Sequence, residues 1–114
     1  MSSLIPTISE QEVESYLKEL GISCLYEQAI FVQDDKNRPR VWTPDFYLPE
    51  LGIYIEVCGS EKFSYDFREK IYKKNNIPII FIHQFKPQQS WQFYLKQRII
   101  EINLERQKII NTLK

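Results

Sequence analysis

The sequence has few cysteines, few glycines and no long apolar run, which are the marks of disulfide-bonded, flexible and membrane-spanning chains. Its 114 residues include only two cysteines, three glycines and one histidine. The cysteines, Cys24 and Cys58, lack the CxxC or Cys/His spacings of metal ligands. This cysteine usage favours a reducing, cytoplasmic location over a disulfide-stabilised secreted domain. No apolar run approaches the length that spans a bilayer.

The chain also lacks an excess of either charge. Fifteen basic and fifteen acidic residues give a formal net charge of zero. This balance disfavours broad nonspecific binding to nucleic acid, although local basic clusters can still form a site. A hydrophobic fraction of 43% over 114 residues predicts one globular domain covering residues 1–114.

The most informative residues are two carboxylates in neighbouring apolar segments, 43–48 (TPDFYL) and 53–59 (IYIEVCG). Both segments have the composition of strands, and Glu56 and Cys58 share one face of the second because strand side chains alternate. A carboxylate among apolar residues is costly to bury without a compensating partner. Since Asp45 begins the neighbouring strand, Asp45 and Glu56 are predicted to converge on a hard divalent cation.

These residues carry a family resemblance. Pro44-Asp45 followed by Glu56-Val57-Cys58 resembles the Pro-Asp…(Asp/Glu)-X-Lys signature of the restriction-endonuclease-like, or PD-(D/E)XK, nuclease superfamily. The resemblance implies a metal-dependent DNA endonuclease acting on duplex or branched DNA. It implies that Asp45, Glu56 and the carbonyl of Val57 hold Mg²⁺ or Mn²⁺.

Cys58 stands where the family has its lysine. In the family that lysine orients the attacking water and offsets charge, and a thiol cannot supply a positive charge. Either a basic residue from elsewhere reaches the site, or catalysis has been lost and the fold is kept for binding nucleic acid or a protein. Retention of Asp45 and Glu56 favours the enzyme, and the catalytic candidates are therefore Asp45, Glu56, Glu27 and Cys58.

Further candidates come from outside the motif. Glu27 lies on the first predicted strand, which is placed to aim it at the same site. Many family members also carry a glutamate on the first helix, but Glu10 is better explained as a carboxylate favoured by the helix dipole. His83 ends an apolar strand and is interpreted as a rim residue rather than a general base.

Basic residues near the motif are candidates for contacts with DNA phosphates, against the alternative that they form a solvated charged face. The predicted nucleic-acid-binding residues are Arg40, Lys62, Arg68 and Lys70.

Periodicity and turn signals predict an α/β fold. A capping box at Ser9 and Glu12 opens the first helix. The predicted elements are a helix ending near residue 20, strands 22–33, 41–48 and 53–58, a helix over 64–75, a buried strand over 78–83 and a helix over 90–113. The fourth strand should run parallel to the third. This αβββαβα order, with a mixed four-stranded sheet flanked by helices, is also that of the restriction-endonuclease-like core.

The last predicted helix is longer than a small core requires. Over residues 90–113 it reaches about 36 Å at 1.5 Å per residue. Its apolar residues recur at helical spacing, as Leu95, Ile99, Ile102, Ile109 and Leu113. The surplus predicts a homodimer formed through this helix, the alternative being a helix that wraps its own sheet.

Overall fold

The computed structural model of the chain describes residues 6–59, 64–84 and 90–113. The elements are α1 (Ile8–Glu19), β1 (Leu25–Tyr26), β2 (Ile30–Gln33), β3 (Pro39–Trp42), β4 (Phe46–Leu48), β5 (Ile53–Cys58), α2 (Asp66–Lys74), β6 (Ile79–His83) and α3 (Trp91–Thr112). Across these ranges, no helix is long and apolar enough to cross a membrane.

The main sheet has four strands in the order β1-β4-β5-β6. The first two pairings are antiparallel, and β5 pairs with β6 in parallel, as the strand–helix–strand pattern predicted. Together with the helices, this sheet confirms the predicted αβββαβα order and the mixed four-stranded sheet. Strands β2 and β3 form a separate two-stranded antiparallel sheet. In the sequence they lie between β1 and β4, which pair with each other in the main sheet.

The prediction of long single strands over 22–33 and 41–48 was wrong, because each segment forms two short strands in different sheets. The first breaks where Glu27 takes a φ of 50°, a left-handed conformation that ends a strand. The second breaks at Pro44, which is fully buried and cannot donate to a ladder. Both breaks lie at the base of the β2–β3 hairpin, where the chain leaves the main sheet and returns to it.

The capping box of α1 lies two residues earlier than predicted. Glu10 N–H donates to Thr7 Oγ1 at 3.1 Å, and Thr7 N–H donates to Glu10 Oε1 at 2.8 Å. Thr7 is therefore the N-cap, in place of the predicted pair Ser9 and Glu12. The shift places Glu10 at the third helical position, where its side chain is held against the main chain.

Two apolar clusters cover the two faces of the main sheet. The larger cluster packs α1 and α3 against the sheet and contains Val13, Leu17, Phe46, Leu48, Ile53, Ile55, Ile80, Ile82, Leu95, Ile99 and Ile102. The second cluster packs α2 and the hairpin against the other face and contains Ile30, Val32, Cys58, Ile71, Tyr72 and Phe81. Because side chains alternate along β5, Ile55 faces the first cluster while Glu56 and Cys58 belong with the second.

Candidate active site

Asp45 lies at the junction between the β2–β3 hairpin and the main sheet. Its Oδ2 accepts a hydrogen bond from Val57 N–H on β5 at 2.7 Å. Its main-chain carbonyl accepts a second from Glu27 N–H at 3.1 Å. The side chain of Asp45 therefore binds the neighbouring strand, while its backbone fixes Glu27 at the other end of the hairpin.

A cavity of about 360 Å³ opens at this junction. Its lining residues are Thr7, Ser9, Glu10, Glu27, Asp45, Val57 and Gly59. The structure thus brings two predicted site residues, Asp45 and Glu27, together with the predicted backbone contributor Val57. It adds Glu10, whose side chain is only 8% exposed.

The environment of Asp45 favours its protonated form. The pKa of Asp45 is raised to about 7. The main cause is burial, and the negative charges of Glu56 and Glu10 also contribute. The hydrogen bond from Val57 N–H lowers the pKa of Asp45.

Glu56 has a different partner. Its carboxylate is buried, and Oε1 accepts hydrogen bonds from Tyr72 Oη–H at 2.8 Å and from Arg68 Nη2 at 2.5 Å. The guanidinium of Arg68 also lies over Trp42, with Cζ 5.2 Å from the ring centroid. This buried, hydrogen-bonded ion pair is the compensation that a carboxylate in an apolar strand requires.

Cys58 is fully buried in the second cluster, beside Ile71 and Tyr72. A lysine at this position would have to place its charge among apolar side chains. The structure instead brings a basic residue from α2 to Glu56, namely Arg68. Arg68 is paired with Glu56 and does not line the cavity beside Asp45.

The predicted ligands do not form one tight cluster. Within residues 6–59, 64–84 and 90–113, no group of three or more His, Cys, Asp or Glu side chains is placed to hold a single metal ion. Asp45 and Glu27 line the cavity, whereas Glu56 binds Arg68 and Tyr72. Glu56 remains near enough to Asp45 for its negative charge to raise the pKa of Asp45.

The predicted DNA-binding residues have separate surroundings. Arg40 Nε pairs with Asp34 Oδ2 at 3.1 Å, and Arg68 pairs with Glu56. Lys70 is exposed on α2, and Lys62 lies outside the described residues. Of the three described residues, two are therefore paired with carboxylates and one is exposed.

His83 lies away from the carboxylates, at the end of β6. Its ring makes an edge contact with Tyr65, at 5.7 Å between centroids. It lines a separate cavity of about 450 Å³ with Tyr94 and Arg98, and none of the predicted carboxylates lies there.

Glu10 is the site residue that sequence reasoning undervalued. The helix-dipole explanation treated it as a feature of the helix start alone, whereas its side chain both completes the capping box and reaches Asp45. A signal was present, because Thr7 and Glu10 have the same S/T-x-x-E spacing as the pair chosen from the sequence. Glu10 also precedes Val13 by three residues and Leu17 by seven, so the three share the buried face of α1.

No protein-family model and no curated protein matches the chain. Among solved structures, the chain is similar to the 5-hydroxymethylcytosine-specific restriction enzyme AbaSI, with a TM-score of 0.46 and 19% identity. The alignment covers 97% of this chain and 44% of that enzyme, so the chain spans less than half the enzyme's length. The assignment of site residues therefore rests on the geometry described above.

The raised pKa of Asp45 predicts a specific pH dependence of stability. Because its folded-state pKa of about 7 exceeds its ordinary value of 3.8, the native state gains stability from the protonated form at low pH and loses it as pH rises through 7. Asp45→Asn keeps a neutral side chain and should lack this loss. Urea midpoints at pH 5 and pH 8 in EDTA will measure the difference, with the exposed Asp35→Asn as control. An unchanged pH dependence in Asp45→Asn would contradict the assignment.

The ion pair at Glu56 predicts a second measurable effect. Arg68→Met should reduce the free energy of unfolding by about 3 kcal/mol, because it leaves a buried carboxylate without its cation. Adding Glu56→Gln to the same chain should recover at least half of that loss. The control is Arg98→Met, which breaks a pair of the same 2.5 Å length whose Glu101 partner is 44% exposed, and should cost less than about 1 kcal/mol. Equal losses for the two arginines would count against a buried pair.

Proposed function

We propose that this chain is a metal-dependent DNA nuclease of the endonuclease type, with Asp45 at the centre of its active site. The observation that carries the proposal is the cavity at the junction of hairpin and sheet, which Glu10, Glu27 and Asp45 line beside the main chain of Val57. Carboxylates gathered in a partly buried cavity repel one another, and a cation relieves the cost. Hard divalent ions prefer such oxygen ligands.

The residues of the cavity fit Mg²⁺ or Mn²⁺. Mg²⁺ usually binds through one or two protein carboxylates and completes its shell with water and substrate phosphates, so three convergent side chains are not required. Asp45 and Glu10, which line the same cavity, would hold the ion, with Glu27 beside them. When bound, the ion would supply charge stabilisation at the phosphate and a water of lowered pKa.

The protein's own groups position these carboxylates. Val57 N–H orients the carboxylate of Asp45, and Thr7 N–H orients that of Glu10. Arg68 supplies a fixed positive charge at Glu56, in the role that the family resemblance gives to a lysine at position 58. Because a guanidinium stays protonated, Arg68 can offset negative charge on a phosphate but cannot act as a general base.

A second candidate function is a catalytically inactive module that binds nucleic acid or a protein. The observation that favours it is the ion pair between Glu56 and Arg68, which satisfies the charge of Glu56 without any metal. The enclosed thiol of Cys58 is also consistent with a site that has stopped working. Cleavage measurements separate the two functions, since only the nuclease depends on the carboxylates of the cavity.

The nuclease proposal predicts weak cleavage of supercoiled plasmid and branched DNA in Mn²⁺ or Mg²⁺, abolished by EDTA. Asp45→Asn should lower the rate at least a hundredfold, roughly 2.7 kcal/mol of lost transition-state stabilisation, because it removes a ligand's charge. The control is Asp66→Asn, at an exposed aspartate at the start of α2, and it should keep the wild-type rate. Absence of cleavage by the wild-type protein would favour the binding module, and cleavage that survives Asp45→Asn would reject the proposed site.

We also propose that α3 pairs with α3 of a second copy. Leu95, Ile99 and Ile102 are buried against the sheet, and the same face continues beyond it to Ile109 and Leu113. These last two side chains are 62% and 81% exposed. A second copy would cover this continuation in an isologous contact, because the same stripe is present on both chains.

The pairing of α3 predicts a dimer in light scattering at high micromolar concentration. Ile109→Lys should weaken the dimer at least tenfold, about 1.4 kcal/mol, by placing a charge in the apolar contact. Leu104→Lys is the matched control, because Leu104 is 59% exposed but lies on a different face of the helix. A monomeric wild-type protein, or equal effects of the two substitutions, would reject the pairing.

A further inference from the structure

Arg40 lies on the face of the β2–β3 hairpin that turns toward α2. In the register, Arg40 is opposite Val32 and Trp42 is opposite Ile30, and side chains opposite each other in an antiparallel pair share a face. Ile30 and Val32 are buried in the second apolar cluster, so Arg40 and Trp42 lie on the same side of the hairpin as that cluster. The side chain of Arg40 is nevertheless 49% exposed, which places it at the margin of the cluster.

The buried carboxylate of Asp34 fixes Arg40 together with a second arginine. Its Oδ2 accepts hydrogen bonds from Arg38 Nε at 3.0 Å and from Arg40 Nε at 3.1 Å. Its Oδ1 accepts from the main-chain N–H groups of Lys36 and Arg38, both at 2.9 Å. Since a guanidinium has five N–H donors, each arginine can bind a second anion while Asp34 holds it in place.

The side of α2 that meets the hairpin adds two lysines. Phe67, near the start of the helix, packs against Trp42 with 6.4 Å between ring centroids. Lys74, at its end, donates from Nζ to the Asp34 carbonyl at 2.6 Å. Lys70 is exposed, and it lies between them on the same side because it follows Phe67 by three residues and precedes Lys74 by four. We call Arg38, Arg40, Lys70 and Lys74 the hairpin–helix cations.

Charge is distributed unevenly over the chain. The tip of the hairpin and α2, residues 34–40 and 66–74, contain seven basic and four acidic residues, a net charge of +3. The remaining eight basic and eleven acidic residues give −3. Part of this excess lies on α1, which contains four acidic residues and one basic residue and contributes Glu10 to the cavity. The zero net charge of the chain is therefore the sum of a basic part and an acidic part.

The aromatic ring beside these cations is already in contact with other side chains. Trp42 carries the guanidinium of Arg68 over its ring and meets Tyr72 edge-on, with 5.2 Å between the two ring centroids. Base stacking, the usual source of affinity for single strands, would have to displace these contacts. What the surface offers instead is positive charge at fixed positions, which suits phosphates whatever the base sequence.

We propose that the hairpin–helix cations bind the phosphate backbone of double-stranded DNA without reading its sequence. This inference rests on the proposed nuclease function and names the surface that holds its substrate. Duplex DNA carries one negative charge per about 1.7 Å of its axis, twice the density of a single strand. It is therefore the better match for four cations gathered on one surface.

The chain connects this surface directly to the cavity. Arg40 precedes Asp45 by five residues, so the two backbones are at most about 18 Å apart. That distance is about half of the roughly 34 Å turn of a DNA duplex. A backbone bound at Arg40 therefore passes the cavity within about half a helical turn, and the acidic residues of α1 would repel an approach from the side of that helix.

Fluorescence anisotropy in EDTA tests this inference without any cleavage. Two labelled duplexes of unrelated sequence and equal length, and a single strand of that length, would be titrated at several salt concentrations. We expect the duplexes to bind equally, and more tightly than the single strand. Lys70→Gln and Arg40→Gln should each weaken duplex binding about tenfold near 50 mM salt and lower the slope of log affinity against log salt by about 0.9, since each removes one phosphate contact.

Lys96→Gln is the matched control. Lys96 is exposed on α3, which packs against the opposite face of the main sheet from α2 and the hairpin. This variant should bind every DNA as the wild type does. Arg40→Gln removes a donor to Asp34, so circular dichroism would confirm its fold, whereas Lys70→Gln changes an exposed side chain and tests the surface with little change in packing.

Several outcomes would overturn the inference. These are no duplex binding by the wild-type protein, equal effects of Lys70→Gln and Lys96→Gln, tighter binding of the single strand, or a strong preference for one duplex sequence, which phosphate contacts alone do not give. The proposed nuclease function fails separately. Lys70-dependent binding without cleavage in Mn²⁺ keeps the surface and rejects the nuclease. Asp45-dependent cleavage by a protein whose DNA affinity is unchanged in Lys70→Gln does the reverse.

Discussion

The hydrogen bond from Val57 N–H to Asp45 Oδ2 is the interaction on which the arrangement of the candidate site depends. At 2.7 Å, it lets a side chain satisfy a main-chain donor of β5 at the point where the hairpin rejoins the sheet. The same bond brings Asp45 beside Glu56 on β5 and toward Glu10 at the start of α1. Three parts of the chain that are distant in sequence therefore meet because one carboxylate is fixed to one strand.

Asp34, Glu56 and Asp45 are three carboxylates with restricted access to solvent, and their surroundings treat the negative charge differently. Asp34 receives main-chain N–H groups and two arginines, which lower its pKa. Glu56 receives one arginine and a tyrosine hydroxyl. Asp45 receives a single main-chain N–H and lies next to other acids, so its pKa rises instead. Asp45 alone of these three has its charge opposed by its surroundings, and such a group is the usual mark of a functional carboxylate.

The sequence predicted the architecture well where the pattern was long or chemically distinctive. The parallel pairing of β5 with β6 and the long C-terminal helix, predicted over 90–113, both follow from apolar runs and helical spacing. Strand lengths were harder to predict, because Glu27 and Pro44 interrupt segments whose other residues are typical of strands. A left-handed φ at a glutamate leaves no sequence signal, since the tertiary contact with Asp45 imposes it.

Only part of the candidate site could be predicted from the sequence, again because tertiary contacts decide the rest. The Pro-Asp motif identified Asp45, but the orientation of Glu56 depends on the partner that α2 presents to it. Arg68 was one of several basic residues on that helix, and nothing in their spacing distinguishes the one that meets Trp42 and Glu56. The position of Glu10 within α1 depended on which of two overlapping capping boxes begins the helix. Contacts between elements, rather than patterns within one element, decide these three positions.

The two segments that join the hairpin to the sheet meet at Glu27 and Asp45, which we call the neck. There Glu27 N–H donates a hydrogen bond to the Asp45 carbonyl at 3.1 Å. The chain leaves the sheet after Tyr26 and returns at Phe46, two residues that are paired across β1 and β4. Lengthening a loop beyond such a neck costs little free energy, because loop-closure entropy grows slowly with length. Changes at the tip of the hairpin can therefore be accommodated while the carboxylates at the neck keep their places.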